Sequence, residues 1–218
     1  MRHEIKIPIF FENLNILKRY LLNIKNLKKQ HEDRYISSIY FDTKDLTLAN
    51  YNLEGISNRY KFRVRWYNKN QNIFRYEIKK KINKLSQKKI YFSKNSLGDN
   101  IKDLFSNKNL LLINKIDNEE RFVIKNLNLL PIIKVEYLRN YLIYKNKVRI
   151  TIDHRSTYEM KNGSHISNKK DSNIIVEYKF DEIDYDVAAN LIKESYFNPK
   201  RFSKYIKGLS MMNKINYF

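Results

Sequence analysis

The chain has 218 residues, and 43 Lys and Arg against 23 Asp and Glu give it a formal charge of +20. That length suits one large domain able to bury a full core and is too short for two generous catalytic domains. Cys is absent and His numbers only 4, which excludes disulfides, thiol nucleophiles and cysteine zinc sites and argues against a histidine metal centre.

The cation excess points to a polyanionic partner: nucleic acid, a phosphate chain or an acidic membrane surface. Hydrophobic residues make up 42%, and 17 Tyr and 12 Phe supply bulk for a core, which argues against a disordered chain. The start, Met1-Arg2-His3-Glu4-Ile5-Lys6, has no apolar signal-peptide core, and no apolar run approaches the ~18 residues of a membrane span. A soluble, cytoplasmic protein is expected, and membrane contact through a partner protein or through the basic surface stays open.

In chain order, period-two alternation predicts a strand over 2–9, and Ile16, Leu17, Tyr20, Leu21, Ile24 and Leu27 share one face of a helix predicted over 12–28. Strands follow over 35–43, 57–67, 73–82 and 86–92, with Asn68–Asn72 as a hairpin turn. Residues 94–128 read as two or three short helices, with Asn95 or Ser96 as a candidate cap. Strands over 132–144 and 147–153 flank a tight turn at Lys145-Asn146. The polar segment His154–Asn173 reads as a mobile loop before a strand over 174–181. Asp184 is placed to cap a helix that ends before Asn198-Pro199, and Ser203 to cap a last helix reaching about Ile215. Gly (4) and Pro (3) are scarce and no linker divides the chain, so a single domain over 1–218 is expected. The sum is an α+β fold: an eight-stranded antiparallel β-barrel with surrounding helices.

Residues two apart on a strand share a face. Arg59, Lys61, Arg63 and Arg65 therefore lie opposite Tyr60, Phe62, Val64 and Trp66, and Arg75, Glu77, Lys79 and Lys81 opposite Phe74, Tyr76, Ile78 and Ile82. The same split sets Lys147, Arg149, Thr151 and Asp153 against Val148, Ile150 and Ile152, and Glu177 and Lys179 against Val176, Tyr178 and Phe180. Arg2, Glu4 and Lys6 oppose His3, Ile5 and Ile7. Two readings stand side by side: an ordinary solvated face of a half-buried sheet, or a barrel with a charged lumen that needs a bound polyanion to relieve crowded like charges. The bias toward one sign favours the second.

The ordered set Ser38-Ile39-Tyr40-Phe41-Asp42-Thr43, Lys61-Phe62-Arg63-Val64-Arg65-Trp66-Tyr67, Tyr76-Glu77-Ile78-Lys79, Glu136-Tyr137-Leu138-Arg139, Val148-Arg149-Ile150-Thr151-Ile152-Asp153, Val176-Glu177-Tyr178-Lys179 and Arg201-Phe202-Ser203-Lys204-Tyr205 resembles the VTC (vacuolar transporter chaperone) polyphosphate polymerase domain. That domain belongs to the triphosphate tunnel, or CYTH-like, superfamily. The resemblance implies an eight-stranded triphosphate tunnel with a basic lumen. It also implies an ATP-dependent polyphosphate polymerase that transfers the γ-phosphoryl group to a growing chain with Mn²⁺ or Mg²⁺. By motif position Lys6, Arg63, Arg65, Lys79, Arg139 and Arg149 are the phosphate-contacting residues. Tyr137, Lys179, Arg201, Ser203 and Lys204 assist substrate binding, and Glu177 is the metal carboxylate.

These residue types suit the chemistry, because phosphoryl transfer rests on positioning and on neutralising oxygen charge. Arg supplies a planar fork and Lys a movable point charge. Structural readings stand beside these: Glu177 as an ion-pair partner of Lys179, Glu4 and Glu77 as ion-pair partners, Asp153 as structural, Ser203 as a helix cap, and Tyr60, Phe62 and Trp66 as packing. Arg2-x-Glu4-x-Lys6 departs from the Glu-x-Glu-x-Lys start of the hydrolytic tunnel enzymes, which weighs against a triphosphatase. A catalytically weak tunnel that binds polyphosphate or nucleotide is the alternative, and a CYTH-type hydrolase or cyclase is a further one. Nucleic acid is expected to bind only non-specifically, and coupling to translocation to need a membrane-protein partner.

Overall fold

The computed structural model describes residues 2–68, 70–83, 85–93 and 116–216. The strands are β1 (Arg2–Ile9), β2 (Leu27–Asp42), β3 (Arg59–Tyr67), β4 (Asn70–Ile82), β5 (Leu85–Ser93), β6 (Leu130–Tyr144), β7 (Val148–Asn162), β8 (His165–Asp171) and β9 (Ile174–Asp181). The helices are α1 (Leu14–Asn23), α2 (Thr47–Leu53), α3 (Asn118–Leu127), α4 (Tyr185–Glu194) and α5 (Lys204–Met211). The strands hydrogen-bond in the order β1-β9-β7-β6-β2-β3-β4-β5, and β8 pairs with β7 off this path. The fold is α+β and its sheet antiparallel, as expected. Among the described residues no helix is long and apolar enough to cross a membrane.

Four expectations need correction. The segment His154–Asn173 is not a loop: β7 continues through it and returns as β8, so the sheet has a ninth strand. Ser156, Tyr158 and Met160 are buried at alternate positions there, and Gly163 takes the positive φ of +59° that the hairpin turn demands. The first helix is shorter than predicted, because Asn26 adopts φ 66° and the chain enters β2 at Leu27. The hairpin between β3 and β4 is tighter, since Tyr67 already pairs with Asn70. The last helix stops at Met211, short of Ile215. Asn95 and Ser96 lie outside the described residues.

The turn at Lys145-Asn146 is as tight as predicted. Both residues have positive φ (49° and 57°), and Lys147 N–H donates to the Tyr144 carbonyl at 2.9 Å, the geometry that suits strand twist. Helix α2 was not evident from the sequence. It is nucleated by buried Asp42, whose carboxylate accepts from the backbone N–H groups of Thr43 (2.7 Å), Leu48 (2.8 Å) and Ala49 (2.9 Å) and from the Tyr205 hydroxyl (2.6 Å). Those contacts satisfy N–H groups that a helix start leaves orphaned.

The chain divides into two compact units. The first comprises Met1–Tyr35, Tyr137–Thr157 and Lys170–Ser203. Its core packs Ile7, Ile9, Val148, Ile150, Val176, Tyr178 and Phe180 from the apolar strand faces against Leu17 of α1 and Ala188 and Leu191 of α4. The second comprises Ile36–Glu136, Tyr158–Lys169 and Lys204–Phe218. Its core holds Phe62, Val64, Trp66, Phe74, Tyr76 and Ile78 against Ile124 of α3. The aromatics of β3 and β4 are therefore packing residues, and their alternation leaves the charged residues to the other face.

Gly208 of α5 marks a close approach within the second unit. A Cβ there would stand 2.6 Å from Tyr158 Cδ1 and 2.8 Å from Ile133 Cδ1. Gly208→Ala is expected to destabilise the protein by about 1–3 kcal/mol through overpacking, despite alanine's better helix propensity. A denaturant midpoint equal to or above that of the parent would show that the contact relaxes freely.

Candidate functional site

In the second unit the register assembles a basic face. Lys61 of β3 pairs with Lys79 of β4, and Lys79 with Lys88 of β5, so three ammonium side chains form one row across neighbouring strands. Like charges directly opposite one another destabilise a sheet unless something neutralises them. The next row is Tyr40–Arg63–Glu77, and the one after it Ser38–Arg65–Arg75.

Glu77 is the carboxylate at the centre of these rows and is only 2% exposed. Its Oε2 accepts from Arg63 Nε at 2.6 Å and lies 3.9 Å from Arg65 Nη1, while Lys88 Nζ stands 3.0 Å from its Oε1. Burial pushes this carboxyl up, but Arg63, Arg65 and Lys88 outweigh burial and hold it down at about 2. Burial lowers the Lys88 ammonium, with Glu77 opposing. Arg65 Nε donates to Ser38 Oγ at 3.0 Å, and Arg63 Nη1 to the Tyr40 hydroxyl at 3.1 Å. Glu77 thus fixes two guanidinium groups in a face with an excess of positive charge, an arrangement suited to a chain of phosphates.

Tyr40 stacks on Tyr205 with ring centroids 5.2 Å apart. Burial pushes its phenol up, but Arg63, Arg65 and Lys61 bring it down to about 7. A tyrosinate would cancel one cation of the face, so affinity for a polyanion is expected to fall as pH rises through about 7 and the phenol ionises. Tyrosinate absorbance should show this transition in the parent protein and lose it in Tyr40→Phe. Added polyphosphate should move the transition upward by neutralising the surrounding cations. A Tyr40→Phe variant with the parent's absorbance titration would assign it to another tyrosine.

The first unit carries a more balanced cluster. Two cross-strand rows run through β1, β9 and β7: Lys6–Glu177–Thr151 and Glu4–Lys179–Arg149. Lys6 Nζ lies 2.8 Å from Glu4 Oε1, Lys179 Nζ lies 3.7 Å from Glu4 Oε2, and Lys179 also pairs with Glu177 Oε1. Arg139 of β6 grips buried Asp153 with both prongs, Nε to Oδ1 at 2.5 Å and Nη2 to Oδ2 at 2.7 Å. Its Nη2 is also 3.9 Å from Glu177 Oε2, and its guanidinium sits 5.4 Å from the Tyr137 ring centre. Burial raises the Glu177 carboxyl, but Lys179, Lys6 and Arg139 prevail and lower it, so it is held ionised.

The residues singled out in the sequence thus fall into separate groups. Arg63, Arg65 and Lys79 share the basic face of the second unit. Lys6, Arg139, Arg149, Tyr137, Glu177 and Lys179 belong to the first. Arg201 and Ser203 lie in the segment before α5, which is tied to β1 where Lys200 N–H donates to the Lys6 carbonyl at 2.9 Å, and Lys204 opens α5. Sequence reasoning left Lys88, Ser38 and Tyr40 out of the site. Strand β5 alternates weakly, and Lys88 and Lys89 look alike until the register separates them: Lys89 faces Asp117 and Glu120, both at 2.7 Å.

Metal binding is constrained by this geometry. Among the described residues no three His, Asp or Glu side chains converge as a metal-binding group. Glu177 does fit a site with one carboxylate, since it is ionised and buried, and its Oε1 is met by the Lys179 ammonium as an ion pair outside hydrogen-bond geometry. Mg²⁺ and Mn²⁺ accept such a site when phosphate oxygens and water complete the shell.

The VTC domain family profile matches residues 2–213. The chain belongs to the VTC domain family. No curated protein matches its sequence. Among solved structures, a Vibrio parahaemolyticus protein provisionally assigned as an adenylate cyclase superposes with a TM-score of 0.50 at 12% identity, covering 95% of this chain and 97% of its own. The PH1819 protein from Pyrococcus horikoshii OT3 gives a TM-score of 0.50 at 12% identity over 98% and 99% of the respective chains. These likenesses show that the fold is shared.

Proposed function

We propose that the chain, acting as one domain over 1–218, is an ATP-dependent polyphosphate polymerase. The observation that carries this reading is the Lys61–Lys79–Lys88 row beside Arg63 and Arg65, a concentration of positive charge suited to a polyanion. Membership of the VTC family supports phosphate chains and nucleotide as that polyanion. In the reaction a terminal oxygen of the acceptor chain bonds to the γ-phosphorus of ATP, the bond from that phosphorus to the β,γ-bridging oxygen breaks, and ADP leaves.

Arg63, Arg65, Lys79 and Lys88 hold phosphate oxygens and spread their charge, as do Lys6, Arg139 and Arg149 with Tyr137, Lys179, Arg201, Ser203 and Lys204 assisting. Glu177 would hold Mn²⁺ or Mg²⁺, which when bound neutralises phosphate oxygens. A second reading, a tunnel domain that binds polyphosphate without turnover, is favoured by the hold that Lys179 keeps on Glu177.

The test is incubation with ATP and Mn²⁺ or Mg²⁺, with polyphosphate read on gels and ADP by chromatography. Both products should appear, and Glu177→Gln should lose metal-dependent synthesis while still binding polyphosphate. Arg65→Ala should lose about 1.5–3 kcal/mol of binding to phosphate and weaken turnover as well. Polyphosphate binding without ADP release would establish the second reading instead.

A further inference from the structure

We infer that Thr151 is a second protein ligand for the divalent cation at Glu177, and that Lys179 is the ammonium this cation displaces. The inference rests on the proposed role of Glu177 as a metal carboxylate. Thr151 and Glu177 are direct cross-strand partners on β7 and β9, so their side chains leave the sheet on the same face. The buried Thr151 Oγ1 and Glu177 Oε1 both lack a hydrogen-bond partner among the described residues.

An orphaned buried hydroxyl oxygen is costly in a folded protein, and such a group asks for an explanation. A hard cation supplies one, because carboxylate and hydroxyl oxygens are its normal ligands and the ammonium on Glu177 Oε1 can be exchanged for it. Lys179 occupies the same carboxylate oxygen as an ion pair and also reaches Glu4 Oε2 at 3.7 Å. Its ammonium therefore neutralises Glu177 in the absence of metal and has an alternative partner waiting. Displaced, it becomes available to phosphate oxygens. Lys179 and the metal would then compete for one oxygen, and the ammonium would be freed for the substrate only once the metal has arrived.

The probe is Mn²⁺ alone, with binding read as loss of the free-ion electron paramagnetic resonance signal in the parent, Glu177→Gln, Thr151→Val, Thr151→Ser and Lys179→Met proteins. Circular dichroism checks the fold of each, and Thr151→Ala replaces Thr151→Val if the latter does not fold. Glu177→Gln should abolish binding. Thr151→Val should weaken it roughly tenfold or more, Thr151→Ser should restore it, and Lys179→Met should tighten it several-fold. Parent-like affinity in Thr151→Val with binding abolished in Glu177→Gln overturns the role of Thr151 and leaves Glu177 as the metal carboxylate. Parent-like affinity in Glu177→Gln, or no binding by the parent protein, overturns both. Unchanged or weakened binding in Lys179→Met overturns the displacement.

Discussion

Glu77→Gln is expected to destabilise the protein by about 3–5 kcal/mol, the cost of leaving buried charges without their counter-ion. The carboxylate is 2% exposed and sits against Arg63, Arg65 and Lys88. For a domain of this size the melting temperature should drop by roughly 6–20 °C. Polyphosphate should recover much of the loss, since it supplies the missing negative charge, so the gap between variant and parent narrows as polyphosphate is added. The pH dependence follows from the depressed carboxyl. Its stabilisation is fully present above its ordinary value of 4.5 and is lost as pH falls through about 2. Thermal melts between pH 5 and pH 2 should therefore converge for parent and variant at the acid end. A constant gap across that range would place the destabilisation in packing instead of charge.

The second large effect is expected at Arg139. Removing its guanidinium takes a bidentate counter-ion from Asp153, which is 0% exposed, and a cation from Glu177. Arg139→Ala should cost about 3–5 kcal/mol. Arg139→Met combined with Asp153→Asn should be far milder than Arg139→Ala, because no charge is then left buried alone. Equal losses in the two proteins, measured by denaturant unfolding, would show that the aliphatic stem of Arg139 over the Tyr137 ring matters more than the ion pair. This arginine therefore has a structural partner as well as a proposed phosphate role, and activity measurements on its variants need that stability baseline.

Much of this was legible in the sequence because alternation is written plainly where one face is apolar. Phe62, Val64 and Trp66 announce β3, and with it the shared face of Arg63 and Arg65. Val176, Tyr178 and Phe180 do the same for β9 and Glu177. Where both faces are polar the signal fails. The entry of β2 at Leu27–Arg34 and the hairpin of β7 and β8 have few apolar residues to mark a period, although Ser156, Tyr158 and Met160 carry a faint one. Ion-pair partners were less legible than strands. Nothing local to Glu77 names Lys88, eleven positions on, as its partner; that pairing exists only through the register of β4 against β5. The bidentate grip of Arg139 on Asp153 is likewise a product of neighbouring strands.

The pairing of β1 with β9 brings Arg2–Ile9 against Ile174–Asp181, nearly the full length of the chain apart. At about 5–20 residues per second of synthesis, β1 waits roughly ten seconds or more for its partner. Until then its backbone donors and acceptors form an open edge that another nascent chain could join. Arg2, Glu4 and Lys6 at every second position make that edge a poor template for aggregation, since charges along an unpaired strand oppose such joining. The same side chains that meet Glu177 and Lys179 in the folded protein thus guard the chain while it is being made.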